Sequence, residues 1–237
     1  MRILALTLDL DDTLWPVLPA LECADRELDD YLRTHHPDVA ARWPIAAMRQ
    51  LRAQVADERL DLAHDFTTQR HLTMRRAFAA CGLDEAPVEA LWEVYAAARN
   101  RVELYADALP ALERITARWP VASLTNGNAD LERIGLQHHF HCHVCARDTG
   151  VGKPDARIFQ VAAQRMGVAP ANILHVGDDP LLDVCGARDA GLRTAWINRA
   201  RAPWPQALGA APDLDLPDLA ALADWLDASQ GAPETPR

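Results

Sequence analysis

The chain has 237 residues, 49% apolar and 24% charged, suited to a globular protein of one large domain or of one medium domain with a smaller insert. Its net charge of -10 argues against a broad nucleic-acid or anionic-membrane surface, and no apolar run approaches the ~20 residues of a membrane span. Five scattered cysteines (Cys23, Cys81, Cys142, Cys145, Cys185) suit reduced thiols in a cytoplasmic protein better than a disulfide framework.

The first apolar run, residues 3–8, has the look of a short signal core but meets Asp9, Asp11 and Asp12 with no cleavage site, so it reads as a buried strand. No strand-like run follows between residues 16 and 106. Amphipathic stretches at 21–31, 45–55, 71–80 and 88–98, rich in Ala and Arg, predict helices there. The helical spacing of Ala108, Leu112, Ile115 and Trp119 predicts a helix with Asp107 as N-cap. Strands are expected at 121–124, 143–146, 173–176 and 194–197. Between them, a helix capped by Asp155 stops at Gly167, and another over 180–190 stops at Gly191.

This alternation predicts an α/β fold: a doubly wound parallel sheet of Rossmann type interrupted by an inserted, all-helical cap domain. The expected division is a core segment at 1–15, the cap at 16–106, the rest of the core at 107–227 and a fraying tail at 228–237.

In open α/β sheets, ligands bind beyond the carboxyl ends of the strands. There the sequence places Asp9-Leu10-Asp11-Asp12-Thr13, Thr125-Asn126-Gly127 and Gly177-Asp178-Asp179 with Asp183 following, while Gly152-Lys153-Pro154 precedes the helix after the third strand. Crowded carboxylates repel unless a hard cation sits among them, and an all-oxygen set favours Mg2+. Lys153, the Thr125 hydroxyl and the Asn126 backbone N–H suit phosphoryl oxygens. Asp9 suits a nucleophile, giving an acyl phosphate; Asp11, two residues on and facing the same way, suits the acid–base group. The implied partner is a small phosphorylated metabolite, with no nucleic acid or membrane, and the implied assembly is a monomer or homodimer.

The ordered set Asp9-x-Asp11-x-Thr13, Thr125-Asn126, Lys153 and Gly177-Asp178 with Asp183 resembles the phosphatase branch of the haloacid dehalogenase-like hydrolase superfamily. The resemblance implies Asp9 as nucleophile and metal ligand, Asp11 as acid–base group lending its carbonyl to the metal, and Asp178 as the other carboxylate ligand. Asp179 or Asp183 would stand behind them, and the helical insert would be the superfamily's first type of cap. The stretches Leu8 to Leu14, His64-Asp65-Phe66-Thr67-Thr68-Gln69-Arg70, Trp119-Pro120, Thr125-Asn126-Gly127-Asn128 and Leu174 to Asp179 are similar to bacterial phosphatases of flavin mononucleotide and of 5-amino-6-(5-phospho-D-ribitylamino)uracil. That likeness makes His64, Asp65, Thr67 and Arg70 candidates to meet the leaving group.

Plainer readings stand beside these. Asp179 and Asp183 suit helix N-terminal charges. Asp65 or Thr67 could cap an ordinary helix with Arg70 solvated. Trp15 could line a cleft or fill the core. The run His138, His139, His141, Cys142, His143 and Cys145 suggests zinc, but no second spaced ligand pair follows, and 143–146 reads as strand with alternating faces. Two other functions remain for the whole chain: carbon–halogen hydrolysis, which needs neither metal nor an acid at position 11, and non-catalytic phosphate binding on the same fold.

Overall fold

A computed structural model describes residues 2–83 and 86–230. Six strands, β1 (Ala5–Leu8), β2 (Val121–Thr125), β3 (Cys142–Cys145), β4 (Ile173–Gly177), β5 (Arg193–Ile197) and β6 (Leu214–Leu216), form one sheet in the order β3-β2-β1-β4-β5-β6. Every pairing is parallel, with Leu8 opposite Ser123 on one side and Val176 on the other. Both faces of β1, β2 and β4 are buried, which is why these strands read as mainly apolar runs with few polar residues. The chain winds outward from β1 to β3 and then returns to β4 on the far side of β1. Strand order therefore reverses between β1 and β4, the point beyond whose carboxyl ends open α/β sheets bind ligands. β6 is absent from the sequence-based expectation: only three residues long and half exposed, it lies at the sheet edge.

The described residues divide into two compact units, 2–16 with 103–126 and 136–230, and 17–83 with 86–102 and 127–135. The second unit is helical: α1 (Val17–His35), α2 (Pro37–Arg42), α3 (Ile45–Glu58), α4 (Phe66–Ala80), α5 (Val88–Arg99) and the short α7 (Leu131–Ile134). Its own core holds Leu28, Leu32, Val39, Leu51, Met74, Phe78, Leu91 and Tyr95, and each fully buried large apolar side chain contributes about 1.5–3 kcal/mol. The 127–135 stretch is tied into this unit by Asp130 N–H to Asn100 Oδ1 at 2.7 Å and by a bidentate Arg133–Glu93 pair at 2.7 and 2.8 Å.

In the sheet unit, α6 (Ala108–Thr116), α8 (Ala146–Thr149), α9 (Ala156–Met166), α10 (Gly186–Asp189) and α11 (Leu219–Gln230) flank the strands. α9 begins as expected, Asp155 accepting from Arg157 N–H at 2.9 Å, and ends at Gly167 with φ +65°. It buries Ile158, Phe159 and Ala162 against Leu124, Val144 and Ile173. Asp107 stands at the N-cap position of α6 as expected, but its side chain makes no capping bond there. Its carboxylate accepts instead from Leu219 N–H at 2.9 Å, capping α11, and pairs with Arg199 at 2.9 and 3.0 Å. The helix expected over 180–190 is divided into a wide π turn, Pro180–Cys185, running on into α10. The Asp179 carbonyl accepts from both Asp183 N–H at 3.0 Å and Val184 N–H at 3.3 Å, widening that turn. The expected tail begins inside α11, which runs to Gln230; 231–237 lies outside the described residues.

Candidate active site

Asp9 leaves β1 still held by the sheet, its N–H donating to the Val176 carbonyl at 2.9 Å. The chain then turns tightly, Asp12 N–H donating to Trp15 O at 2.7 Å and Leu14 N–H to Leu10 O at 2.8 Å. Asp12 takes φ +62°, a left-handed conformation that Asp tolerates better than most residues. The turn directs the Thr13 hydroxyl to Asp9 Oδ2 at 3.3 Å and Asp178 Oδ1 at 3.1 Å, linking two strand ends. Trp15 is fully buried, and its indole N–H donates to Asp11 Oδ1 at 2.8 Å; it fills the core and orients Asp11 at once.

Lys153 is brought in by a reciprocal clamp. Its N–H donates to Asn126 Oδ1 at 2.7 Å, and Asn126 Nδ2 donates back to the Lys153 carbonyl at 2.9 Å. Gly152 makes this possible, since a Cβ there would sit 2.7 Å from Asn126 Oδ1. The buried Lys153 ammonium then donates to Asp9 Oδ1, and to Asp183 Oδ1 at 2.6 Å. Asp183 also accepts from Asp179 N–H at 2.9 Å and lies 3.0 Å from His175 Nε2. The Asp179 carboxylate turns away to cap Leu181 and Leu182, so Asp183 supports the lysine and Asp179 does not. Thr125 is buried at the end of β2, and Trp196 Nε1 donates to the Asp178 carbonyl at 2.7 Å.

The charges in this cluster do not balance. Burial raises Asp9 well above the usual carboxylate range; Lys153 pulls it down, but Asp183 and Asp178 add to the rise. Burial, with Asp183 nearby, pushes Asp178 up to about 7. Burial also opposes ionisation of Asp183, yet Lys153 and His175 prevail and hold it well below the ordinary value. Lys153 is raised because Asp183 and Asp9 outweigh its own burial, whereas burial lowers His175. Three carboxylates thus face one ammonium. Oxygens of Asp9, Asp178 and Asp183 lie within 4.8 Å of one another, the one such His/Cys/Asp/Glu group among the described residues. An all-oxygen set with an excess of negative charge fits a hard divalent cation, with Asp9 and Asp178 as side-chain donors.

In the helical unit Asp65 caps α4, accepting from Thr68 N–H at 2.9 Å and Thr68 Oγ1 at 2.6 Å, while Thr67 is buried and His64 half-buried. The reading of Arg70 as a solvated side chain is corrected: it donates to Tyr95 Oη at 2.6 Å, lies 3.5 Å from the centre of that ring and reaches Asp25 at 3.7 Å. In the His/Cys run, His143 Nδ1 pairs with Ser123 Oγ at 2.6 Å, and the His138 and His139 rings lie 4.0 Å apart. Sequence reasoning passed over His175 and Thr7, which sit deep in β4 and β1 and read as polar breaks in apolar strands.

A six-stranded parallel sheet with carboxylates and a buried lysine at its carboxyl edge is a Rossmann-like hydrolase core. The chain belongs to the haloacid dehalogenase-like hydrolases, the family matching residues 3–191. It is 31% identical over 231 residues to the 5-amino-6-(5-phospho-D-ribitylamino)uracil phosphatase YigB of Escherichia coli, covering 95% of this chain and 97% of that protein. It is 38% identical over 156 residues to a phosphoserine phosphatase of Thermus thermophilus, covering 63% and 62% of the two chains. Among solved structures, a 2-haloacid dehalogenase from Pseudomonas syringae pv. Tomato superimposes with a TM-score of 0.88 at 32% identity, over 97% of this chain and 100% of that one. Among the described residues no helix is long and apolar enough to cross a membrane.

Proposed function

We propose that this chain is a magnesium-dependent phosphomonoester hydrolase acting through a phosphorylated Asp9 on a small metabolite, with flavin mononucleotide and riboflavin-precursor phosphates as the first substrates to try. The observation that carries this reading is the buried Lys153 ammonium joined to Asp9 and Asp183 beside Asp178. A lone cation among three carboxylates suits a site that also takes a divalent ion and a phosphoryl group. The near full-length similarity to the Escherichia coli phosphatase supports the substrate class.

In this mechanism a carboxylate oxygen of Asp9 attacks phosphorus. The new O–P bond forms as the ester P–O bond breaks, and Asp11 gives its proton to the departing alcohol oxygen. Asp11, steadied by the Trp15 indole, then takes a proton from the water that attacks the acyl phosphate, releasing inorganic phosphate and restoring Asp9. In this reading Lys153 binds phosphoryl oxygens, and the Thr125 hydroxyl and the Asn126 N–H donate to the same group. Asp9, Asp178 and the Asp11 carbonyl would hold Mg2+, which when bound would neutralise charge on the phosphoryl group. The five cysteines, none in a disulfide, support a reducing, cytoplasmic setting.

Similarity to a haloacid dehalogenase structure favours a second reading, carbon–halogen hydrolysis by the same Asp9. Asp11 and Asp178, which that chemistry does not require, favour the phosphatase. A panel of flavin mononucleotide, nucleotides and sugar phosphates, with Mg2+ and with EDTA, separates the two. Phosphate release that depends on Mg2+ is expected. Halide release from 2-chloropropionate in EDTA, with no phosphate release in Mg2+, would overturn it.

A further inference from the structure

Asp183 must be held still for Lys153 to stand at one place. Two of its partners, Lys153 and the Asp179 N–H, come from loops. The third, His175, comes from the middle of β4, where both faces of the strand are buried. A histidine at such a position is costly unless both ring nitrogens are satisfied. Here they are: Nε2 lies 3.0 Å from Asp183 Oδ1, and Nδ1 lies 2.8 Å from Thr7 Oγ1. Thr7 is the direct cross-strand partner of His175 in the β1–β4 ladder, and the Phe159 ring meets the imidazole edge-on at 5.0 Å. An ionised carboxylate only accepts, so Nε2 carries the proton; in the neutral ring Nδ1 then accepts from the Thr7 hydroxyl.

We propose that His175 is a positioning residue: backed by Thr7, it fixes the Asp183 carboxylate from the rigid sheet and thereby sets where the Lys153 ammonium meets the substrate. This rests on the phosphatase reading for its kinetic effect, but not for its geometry. Thr7, His175 and Asp183 are essentially inaccessible to solvent, so the chain of bonds from strand to lysine is dry, and water cannot replace a missing member.

The test compares wild type with His175→Phe, His175→Gln and Thr7→Val, using p-nitrophenyl phosphate and Mg2+. Outer partners of this kind are worth about 10–100-fold in activity. His175→Phe should lose that much in kcat/KM. His175→Gln, which keeps an N–H for Asp183, should recover part of it. The Mg2+ concentration for half-maximal activity should stay near wild type, because Asp9 and Asp178 are untouched. Wild-type-like turnover of His175→Phe overturns the proposal. So does a loss that Gln does not rescue and that tracks an equal weakening of Mg2+, since that marks general structural damage. If His175→Phe does not fold, His175→Gln and Thr7→Val carry the same comparison. A wild type that hydrolyses no phosphate ester sinks the phosphatase reading instead. The positioning claim is then decided by nitrogen NMR of the His175 ring: one proton fixed on Nε2, with the Nδ1 resonance moving in Thr7→Val, supports it, and any other protonation pattern overturns it.

Discussion

Gly177→Ala should be among the most damaging single-methyl changes in this protein. A Cβ at position 177 would lie 2.2 Å from Asp183 Cγ, 2.3 Å from Oδ2 and 2.7 Å from Cβ. Ordinary carbon contacts need about 3.5 Å, so Asp183 must retreat by roughly 1 Å. That carboxylate is buried and held by Lys153 at 2.6 Å, Asp179 N–H at 2.9 Å and His175 at 3.0 Å, and a shift of this size takes such bonds out of range. Hydrogen bonds to a charged group are worth about 1.5–3 kcal/mol each, and overpacking alone costs about 1–3 kcal/mol. Losing two bonds, with some relief from backbone movement, gives about 3–5 kcal/mol, or a melting point lower by on the order of 10 °C. Thermal unfolding followed by circular dichroism reads the stability, and phosphate release reads the site. A variant melting within about 2 °C of wild type and turning over normally would show that Asp183 is not confined as described.

Asp9→Asn should keep the fold, because shape is preserved, and should abolish p-nitrophenyl phosphate hydrolysis; near-wild-type turnover would refute Asp9 as nucleophile. Removing the metal with EDTA should stop turnover and restoring Mg2+ should recover it, while Asp178→Asn should raise the Mg2+ required at least tenfold, by the usual worth of a metal's carboxylate environment. An unchanged Mg2+ titration in that variant would remove Asp178 from the ligand set. For Asp107, burial raises the carboxyl, but Arg199 and the Leu219 N–H outweigh it and leave it lowered. A lowered folded value stabilises above the unfolded pKa of about 3.9 and is lost as pH falls through the folded one. Asp107→Asn should therefore destabilise by about 1 kcal/mol at neutral pH after solvent screening, with the gap closing in acid. A gap as wide under strong acid as at neutrality would mean the charge is not its source.

Much of the sheet was legible because strands such as β1 and β4 are buried on both faces and are mainly apolar. β6 escaped because Leu214-Asp215-Leu216 is too short and half exposed to show a period. The residues gathered at the site were each visible as motifs: Asp9 and Asp178 at strand ends, Asp183 shortly after the latter, and Lys153 ahead of the helix that follows the third strand. What the sequence could not show was pairing across distance. Asp107 reads as a local cap, yet its partners Arg199 and Leu219 lie far along the chain. His175 reads as a blemish in an apolar strand until Thr7 and Asp183 are seen on either side of it. Asp179 and Asp183 looked equivalent in the sequence, and only the widened turn separates the one that caps from the one that holds the lysine.

The mutual bonds between Asn126 and the backbone of Lys153 bind the end of one strand to the loop leaving its neighbour. An amide side chain spent in this way is no longer at liberty to adapt to a new ligand. Drift at position 126 would therefore be felt as a re-aimed cation at position 153, and the two positions, together with the glycine between the clamp and the strand, must change in concert or not at all.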